Sequence, residues 1–221
     1  MTLPPELNVM VKSLPFLWQG LLVTLQVSAT VVVVALVLGV TLGVGLTYGP
    51  RWIAWPIRLF SDIIRGLPLL VLIFFVYYAL PATGWSINNF WAALSALALF
   101  ETAHVSEVAR GAIQSIHPGQ NEAGKAIGLT FVQRMLYVVL PQALRRFLPP
   151  WINTVVDTVK GSALVSLVGI VDLMLAIQQV IGRTFQPMPM YVLGAIMYFL
   201  INYTLSLASR RLEARFAYIR E

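Results

Sequence analysis

The sequence predicts an all-α integral membrane protein with about five membrane-spanning helices, and two observations lead to this fold class. The first is composition, because 58% of the residues are hydrophobic and only 11% are charged, whereas soluble domains carry about 25% charged residues. The second is the placement of the charges, since stretches 13–50, 66–100 and 184–209 contain no Asp, Glu, Lys or Arg. Each stretch exceeds the roughly 20 residues that a helix needs to cross a bilayer.

Helix-breaking residues divide these stretches into five helices of one domain, residues 1–221. The first helix is expected to end at Tyr48-Gly49-Pro50 and the second at Pro81, and a proline-rich turn at 187–189 precedes the fifth, because proline and glycine interrupt helices. The fourth helix has a weaker apolar continuation to Ile181. The predicted bounds are about 16–47, 59–80, 90–113, 148–171 and 190–207.

Basic residues in the short connections predict the orientation, because they are retained on the cytoplasmic side of a membrane. With five helices, three basic segments share one side, and the net charge of +6 is explained without nucleic-acid binding. We expect the N-terminus outside the cell or in the periplasm, and the C-terminus in the cytoplasm. The basic residues of the shared side are Arg51, Arg58, Lys125, Arg134, Arg145, Arg146, Arg210, Arg211, Arg215 and Arg220, against Lys12 and Arg183 on the other.

The segment 114–146 is the longest hydrophilic stretch and is expected to form two short helices on the cytoplasmic side. The first, about 120–127, should end at Gly128, because glycine suits the left-handed position after a helix. Thr130 and Gln133 have the spacing of a capping box and should start a second helix that stops near Pro141. Two interpretations stay open for this loop, namely an amphipathic segment resting on the bilayer and a docking element for a cytoplasmic partner.

Residues 119–126 of this loop nearly match the phosphate-binding pattern G-x-x-x-x-G-K-[ST]. The last position is Ala126, so the hydroxyl that would bind magnesium is missing. No apolar strand precedes the pattern, as a phosphate-binding loop requires. We therefore expect no nucleotide site in this chain.

The same loop resembles the E-A-A-x-x-x-G-x9-I-x-L-P loop of ABC importer permeases through Glu122-Ala123-Gly124, Gly128 and Val138-Val139-Leu140-Pro141. Gly124 replaces the second alanine of that motif and Val138 replaces the isoleucine, so both positions keep small or apolar residues. Further segments are similar to the polar amino-acid uptake branch of these permeases, and the resemblance covers about residues 18–214. These segments are RGLPLL at 65–70, EVARGAIQSI at 107–116, LPQALR at 140–145, SALVSL at 162–167 and the Gly20-x3-Thr24-Leu25 start of the first helix.

The resemblance implies a type I ABC importer permease fold in a bacterial inner membrane, in contact with its lipid. It implies a transport subunit that is not an enzyme and that forms a pathway for a polar amino acid. Its partners would be a dimer of ATPase subunits, which bind the ATP and magnesium, a second permease, identical or homologous, and a periplasmic or extracellular solute-binding protein. No cofactor is expected in this chain. The residues assigned to coupling with the ATPase are Glu122, Ala123, Gly124, Gly128, Leu140 and Pro141.

Charged residues within predicted membrane helices are costly unless they are paired or face a cavity. Asp62/Arg65, Glu107/Arg110 and Asp157/Lys160 have the i, i+3 spacing that places both groups on one helix face. Each pair either neutralises itself and holds the helices together, or lines the pathway and meets a zwitterionic solute. Glu101 and His104 also share a face. The candidates for the substrate pathway are Asp157, Lys160, Ser162, Asp62, Arg65 and Glu101.

A stand-alone secondary transporter or channel for small polar solutes is the alternative function. Such a protein would carry intramembrane charges but would have no need of a docking loop, and it would usually be larger or show an internal repeat. A membrane-embedded enzyme would need a catalytic constellation, and the sequence has no H-E-x-x-H motif and no cysteine. Neither the amino acid carried nor the choice between identical and homologous permease partners follows from the sequence.

Overall fold

The computed structural model describes residues 4–84 and 87–216, and the regular elements within these ranges are all helical. This confirms the predicted all-α fold class. The helices up to the long hydrophilic segment are α1 Pro5–Tyr48, α2 Arg51–Gly66, α3 Leu69–Ala82 and α4 Asn89–Gln114. The following ones are α5 Pro118–Ala126, α6 Phe131–Arg134, a π-helical turn Met135–Val139, α7 Leu140–Gly161, a 3-10 helix Ser162–Val168, α8 Leu173–Thr184 and α9 Pro187–Phe216.

Two helices of the described residues are long and apolar enough to cross a membrane, within Glu6–Tyr48 and Pro187–Arg215. The pairs α2 with α3 and the Phe131–Val168 run with α8 pass the same test together, which gives up to four spans. The third predicted helix corresponds to α4, which is 26 residues long and carries three charged residues. The count of five therefore stays a prediction.

The chain forms two compact units. The first contains Met1–Val32, Pro68–Ala98 and Val156–Leu205, and the second contains Val33–Leu67, Leu99–Val155 and Ser206–Glu221. A core of the first unit joins α1, α8 and α9 through the buried side chains of Leu17, Leu21, Leu173, Ala176, Ile177, Val180 and Met190. A core of the second unit joins α1, α4 and α7 through Ala35, Val105, Ala109, Ala112 and Phe147.

A buried polar cluster accompanies the core of the first unit. The Asp172 carboxylate caps α8 by accepting a hydrogen bond from the backbone N–H of Leu175 at 2.9 Å, and the Tyr198 hydroxyl donates to its other oxygen at 3.4 Å. The Thr24 hydroxyl accepts from the Leu173 N–H at 3.1 Å. Buried polar groups of this kind are tolerated when they are hydrogen-bonded, so the cluster ties α1, α8 and α9 together.

Small residues let α1 and α4 approach closely in the second unit. A Cβ atom at Gly39 would lie 2.6 Å from Cβ of Val105, and one at Gly43 would lie 2.6 Å from Cβ of Ala109. Such contacts between small residues are typical of helix pairs in membranes. The two glycines therefore allow the backbone of α1 to pack directly on α4.

The second predicted helix, 59–80, was wrong as a single element. The chain bends by 105° between α2 and α3, because Leu67 adopts an extended conformation with φ −93° and ψ 139°. Leu67 precedes Pro68, whose ring disfavours the helical conformation of the residue before it. The first helix also begins earlier than predicted, at Pro5.

The prediction that the second short helix stops near Pro141 was also wrong. The helix continues through the π-helical turn into α7, which reaches Gly161. Pro141 directly follows the π-helical turn, where the Leu140 N–H donates to the Met135 carbonyl, so the regular i to i−4 hydrogen bonding that a proline interrupts is already altered there. The predicted fourth helix is interrupted instead after Gly161, where the 3-10 helix begins, and the chain then turns at Gly169 with φ +83°.

Candidate functional site

The reversal at the centre of the 114–146 loop has the geometry that the sequence predicted. Gly128 has φ +80°, and the Leu129 N–H donates to the Gly124 carbonyl at 3.0 Å across the turn. Thr130 and Gln133 form the predicted capping box, with hydrogen bonds of 3.3 Å and 2.8 Å between side chain and backbone. A residue with a side chain is strained at this φ, so glycine at position 128 fixes the angle between α5 and α6.

Arg134 holds the two short helices together, and the sequence analysis did not single it out. Its Nε donates to the Asn121 side-chain oxygen at 2.7 Å and its Nη1 donates to the Leu129 carbonyl at 2.8 Å. Its guanidinium also lies 6.0 Å from the centre of the Phe131 ring. A Cβ atom at Gly124 would lie 3.0 Å from Cγ and Cδ of Arg134. The glycine that departs from the alanine of the resembled motif thus makes room for this arginine.

Two further contacts fix the loop to its own unit. The Tyr48 ring at the end of α1 meets the Phe131 ring edge-on at 5.4 Å. The Arg146 guanidinium donates to the Ser115 carbonyl, which joins α7 to the end of α4. The loop is therefore a packed element rather than a free connection.

The outer surface of the loop carries exposed apolar side chains among polar ones such as Glu122, Lys125 and Gln133. Glu122 and Ala123 are exposed on α5, Gly124 is buried, and Gly128, Leu140 and Pro141 are exposed. The larger apolar side chains around them are open as well. Ile127 is 77% exposed, Val132 61% and Tyr137 72%. A patch of this kind on a folded element is typical of an interaction surface.

The Glu107 carboxylate on α4 is the acceptor at the centre of a cluster with two arginines. Arg110 donates to one oxygen of Glu107 from Nε at 2.9 Å and from Nη2 at 2.6 Å, and its Nη1 donates to Gln114 at 2.6 Å. Arg65 of α2 lies 3.9 Å from the same oxygen. Arg65 is therefore found with Glu107 and not with Asp62, its expected partner at i, i+3.

The remaining pathway candidates lie in different surroundings. Asp157 and Lys160 form the predicted pair at 3.5 Å, with side chains 72% and 59% exposed. Ser162 is buried and donates to the Val159 carbonyl at 2.8 Å, so its hydroxyl is occupied within its own helix. Asp62 is exposed and Glu101 is buried.

Neither a metal site nor a phosphate-binding loop is formed by the described part of the chain. No three His, Asp or Glu side chains gather within residues 4–84 and 87–216. The near match at 119–126 lies within α5, which follows a helix rather than a strand. Most of its backbone N–H groups are therefore used inside the helix and cannot cradle a phosphate.

Comparisons with known proteins agree on one protein family for this chain. Residues 35–218 match the family described as "Binding-protein-dependent transport system inner membrane component". The chain is 37% identical over 205 residues to the "Probable glutamine ABC transporter permease protein" of Bacillus subtilis (strain 168), which covers 91% of this chain and 94% of that protein. It is 36% identical over 206 residues to the "Glutamine transport system permease protein" of Escherichia coli (strain K12), with 92% and 94% covered.

A solved structure gives the same assignment from the fold. The chain superimposes on a subunit of an amino acid ABC transporter crystallised with histidines, with a TM-score of 0.89 and 33% sequence identity. The superposition covers 97% of this chain and 100% of that chain.

Proposed function

This chain belongs to the family of binding-protein-dependent transport system inner membrane components, and on this premise we propose that it carries a polar amino acid across the membrane in an ATP-driven importer. Members of this family are transport subunits rather than enzymes. The observation that supports the ATP-driven mechanism is the packed 114–146 loop, with its exposed apolar surface and its glycine at φ +80°.

The proposed role of the loop is to dock in a separate ATPase subunit. Glu122 lies in the middle of α5, beyond its first turn, and its exposed carboxylate can meet a basic residue of the partner. The exposed Ile127 and Val132 supply apolar area that a partner would remove from water. Gly128 leaves the tip of the loop without a side chain, so a partner can approach its backbone closely.

The proposed assembly contains two ATPase subunits, a second permease and an extracytoplasmic solute-binding protein. ATP and magnesium bind the ATPase subunits in this proposal, because the loop of this chain has no phosphate-binding geometry. Docking two loops on two ATPases lets ATP-driven closure move the membrane helices between inward-open and outward-open states. In this proposal the C-terminus and the loop lie in the cytoplasm and the N-terminus lies outside.

The proposed substrate class is a polar amino acid, in line with the glutamine named for the two relatives. Asp157 and Lys160 are the favoured substrate residues, because both are largely exposed and offer an anion for an ammonium group and a cation for a carboxylate. Asp62, Arg65, Glu101 and Ser162 are secondary candidates. The last of these contributes space more than a hydrogen bond, since its hydroxyl is already used.

Substitutions in the loop test the coupling role. Gly128→Asp and Glu122→Lys should reduce both ATP-driven uptake and co-purification of the ATPase at least ten-fold, a loss that corresponds to about 1.4 kcal/mol, while the permease still inserts. Gly128→Asn should be milder than Gly128→Val, because asparagine tolerates a left-handed conformation and a β-branched residue does not. Gln120→Asp, which adds a charge at another exposed position of α5, is the matched control.

Normal uptake and normal ATPase recovery for Gly128→Asp and Glu122→Lys would leave the coupling role without support. The alternative, a stand-alone transporter, predicts ATP-independent accumulation when the purified chain alone is reconstituted in liposomes. The orientation has its own test. A reporter that works only in the cytoplasm should be active after Glu221 and silent when inserted near Ala82.

A further inference from the structure

Helix α2 presents an exposed stripe of large apolar side chains. Trp52, Trp55, Leu59 and Ile63 recur at the spacing that places residues on one side of a helix, and they are 76%, 67%, 45% and 53% exposed. The opposite side of α2 is the one that packs, since Ser61 is buried and its hydroxyl lies 3.1 Å from that of Ser106 on α4. The stripe therefore faces away from the core of its unit.

A second stripe of α2, beside the apolar one, is basic. Arg51 and Arg58 are exposed, and neither forms an ion pair or hydrogen bond with another described residue. Arg65 differs, because it lies 3.9 Å from Glu107. With Asp62 as its single acid, the sequence of α2 keeps an excess of positive charge. Within residues 4–84 and 87–216, these two arginines therefore have no acidic partner and are available to a ligand.

The backbone changes direction between α2 and the next helix. At Leu67 and Pro68 the chain bends by 105° before the uncharged, apolar α3. A helix that carries an apolar stripe beside a basic stripe, and that includes tryptophan, has the composition of helices lying in the plane of a membrane surface. Tryptophan prefers the boundary between headgroups and acyl chains.

We propose that α2 lies along the membrane interface and binds anionic phospholipid. Trp52, Trp55, Leu59 and Ile63 enter the boundary between headgroups and acyl chains, and Arg51 and Arg58 bind the phosphate groups. Charge complementarity identifies the occupant, because Arg51 and Arg58, which have no partner among the described residues, both lie along one side of the apolar stripe, and anionic headgroups attract such residues. The stripe of a second copy would bring the same positive charges together.

Depth measurements test the position of the helix, and the absence of cysteine from the chain makes single labelling sites simple to introduce. Spin labels at Trp52→Cys and Ile63→Cys should both lie about 5–10 Å below the headgroups, as in an interfacial helix. Labels at Val33→Cys and Val44→Cys have the same separation in sequence on the long α1 and are also exposed. They should differ in depth by about 16 Å, the rise of a helix over that separation.

A depth difference of about 16 Å between positions 52 and 63, as in a spanning helix, would overturn the proposal. Spin labels that are shielded from lipid-soluble oxygen and that show spin–spin coupling between two copies of the chain would also overturn the proposal. The stripe would then be covered by a second permease.

Lipid preference tests the arginines. The full chain is placed in phosphatidylcholine vesicles that contain phosphatidylglycerol, and its preference for spin-labelled phosphatidylglycerol is measured. Arg58→Gln should lower this preference by about five-fold, the effect of one basic residue near an anionic surface. Arg65→Gln removes the same charge from the same helix and should leave the preference unchanged, because Arg65 faces Glu107.

Equal losses for Arg58→Gln and Arg65→Gln, or no loss for Arg58→Gln, would contradict the assignment. Neither experiment involves ATP or uptake. A failure of the proposed transport function would therefore leave both results unchanged, and the two hypotheses fail separately.

Discussion

The pairs Glu107–Arg110 and Asp157–Lys160 have the same spacing in sequence and opposite surroundings in the structure. Glu107 is 18% exposed and lies 2.6 Å from Arg110, with a second arginine, Arg65, at 3.9 Å. Asp157 and Lys160 are 72% and 59% exposed and lie 3.5 Å apart. Spacing alone predicts that two groups share a helix face, and the neighbouring helix decides whether they are available to a solute.

This difference separates the two interpretations that the sequence left open for each pair. The Glu107 cluster joins α4 to α2 and saturates one carboxylate oxygen, as expected of a group that holds helices together. Asp157 and Lys160 form one ion pair with each other, and both side chains remain largely exposed. Three sets of substitutions, in order of expected effect, test whether this contrast corresponds to a difference in function.

The largest effect is expected for uptake by Asp157→Asn and Lys160→Ala. A hydrogen bond to a charged group contributes about 1.5–3 kcal/mol, so either change should raise the KM for uptake about 10- to 100-fold. The thermal unfolding midpoint should stay within error, because an exposed ion pair contributes about 0–1 kcal/mol to stability. Unchanged uptake in both variants would remove this pair from the pathway.

An intermediate effect is expected for Glu107→Gln, on stability rather than on KM. The substitution keeps an acceptor oxygen but removes its charge, so Arg110 and Arg65 lose the charge-assisted part of their interaction, and we expect a loss of about 1.5 kcal/mol, measured as a lower unfolding midpoint in detergent. The KM of the protein that does fold should be unchanged. A raised KM with normal stability would place Glu107 with the pathway residues instead.

The smallest effect is expected for the neutral contact beside this cluster. Ser61→Ala should cost about 1 kcal/mol, the usual contribution of a neutral hydrogen bond, since its hydroxyl lies 3.1 Å from that of Ser106. Ser106→Ala and the double variant complete a double-mutant cycle. If the two single losses simply add, the hydroxyls do not interact.

Sequence reasoning succeeded where the determinants are local. The predicted third helix, 90–113, corresponds to α4 at Asn89–Gln114. The reversal at Gly128 and the capping box of Thr130 were predicted as they are found. Each of these features depends on residues within a few positions of one another, so their chemistry is visible in the sequence itself.

Sequence reasoning failed where two interacting residues are distant in sequence, or where a continuous apolar stretch hides a break in a helix. The bend at Leu67 and Pro68 falls inside a continuous apolar stretch, so an averaged hydropathy smooths over it, although the residue before a proline already disfavours a helix. The pairing of Arg65 with Glu107 depends on how α2 packs on α4. The role of Arg134 had only one signal, a glycine at position 124 where the resembled motif has alanine.

The π-helical turn Met135–Val139 sets the rotational phase of the helix that follows it. A turn closed by an i to i+5 bond accommodates one residue more than an α-helical turn, and an α-helix rotates by about 100° per residue. This extra residue directs Val139, Ala143 and Phe147 into their buried clusters. An ordinary α-helical turn here would rotate these apolar side chains away from α4. The five residues of the π-helical turn therefore determine which face of α7 packs on its neighbour.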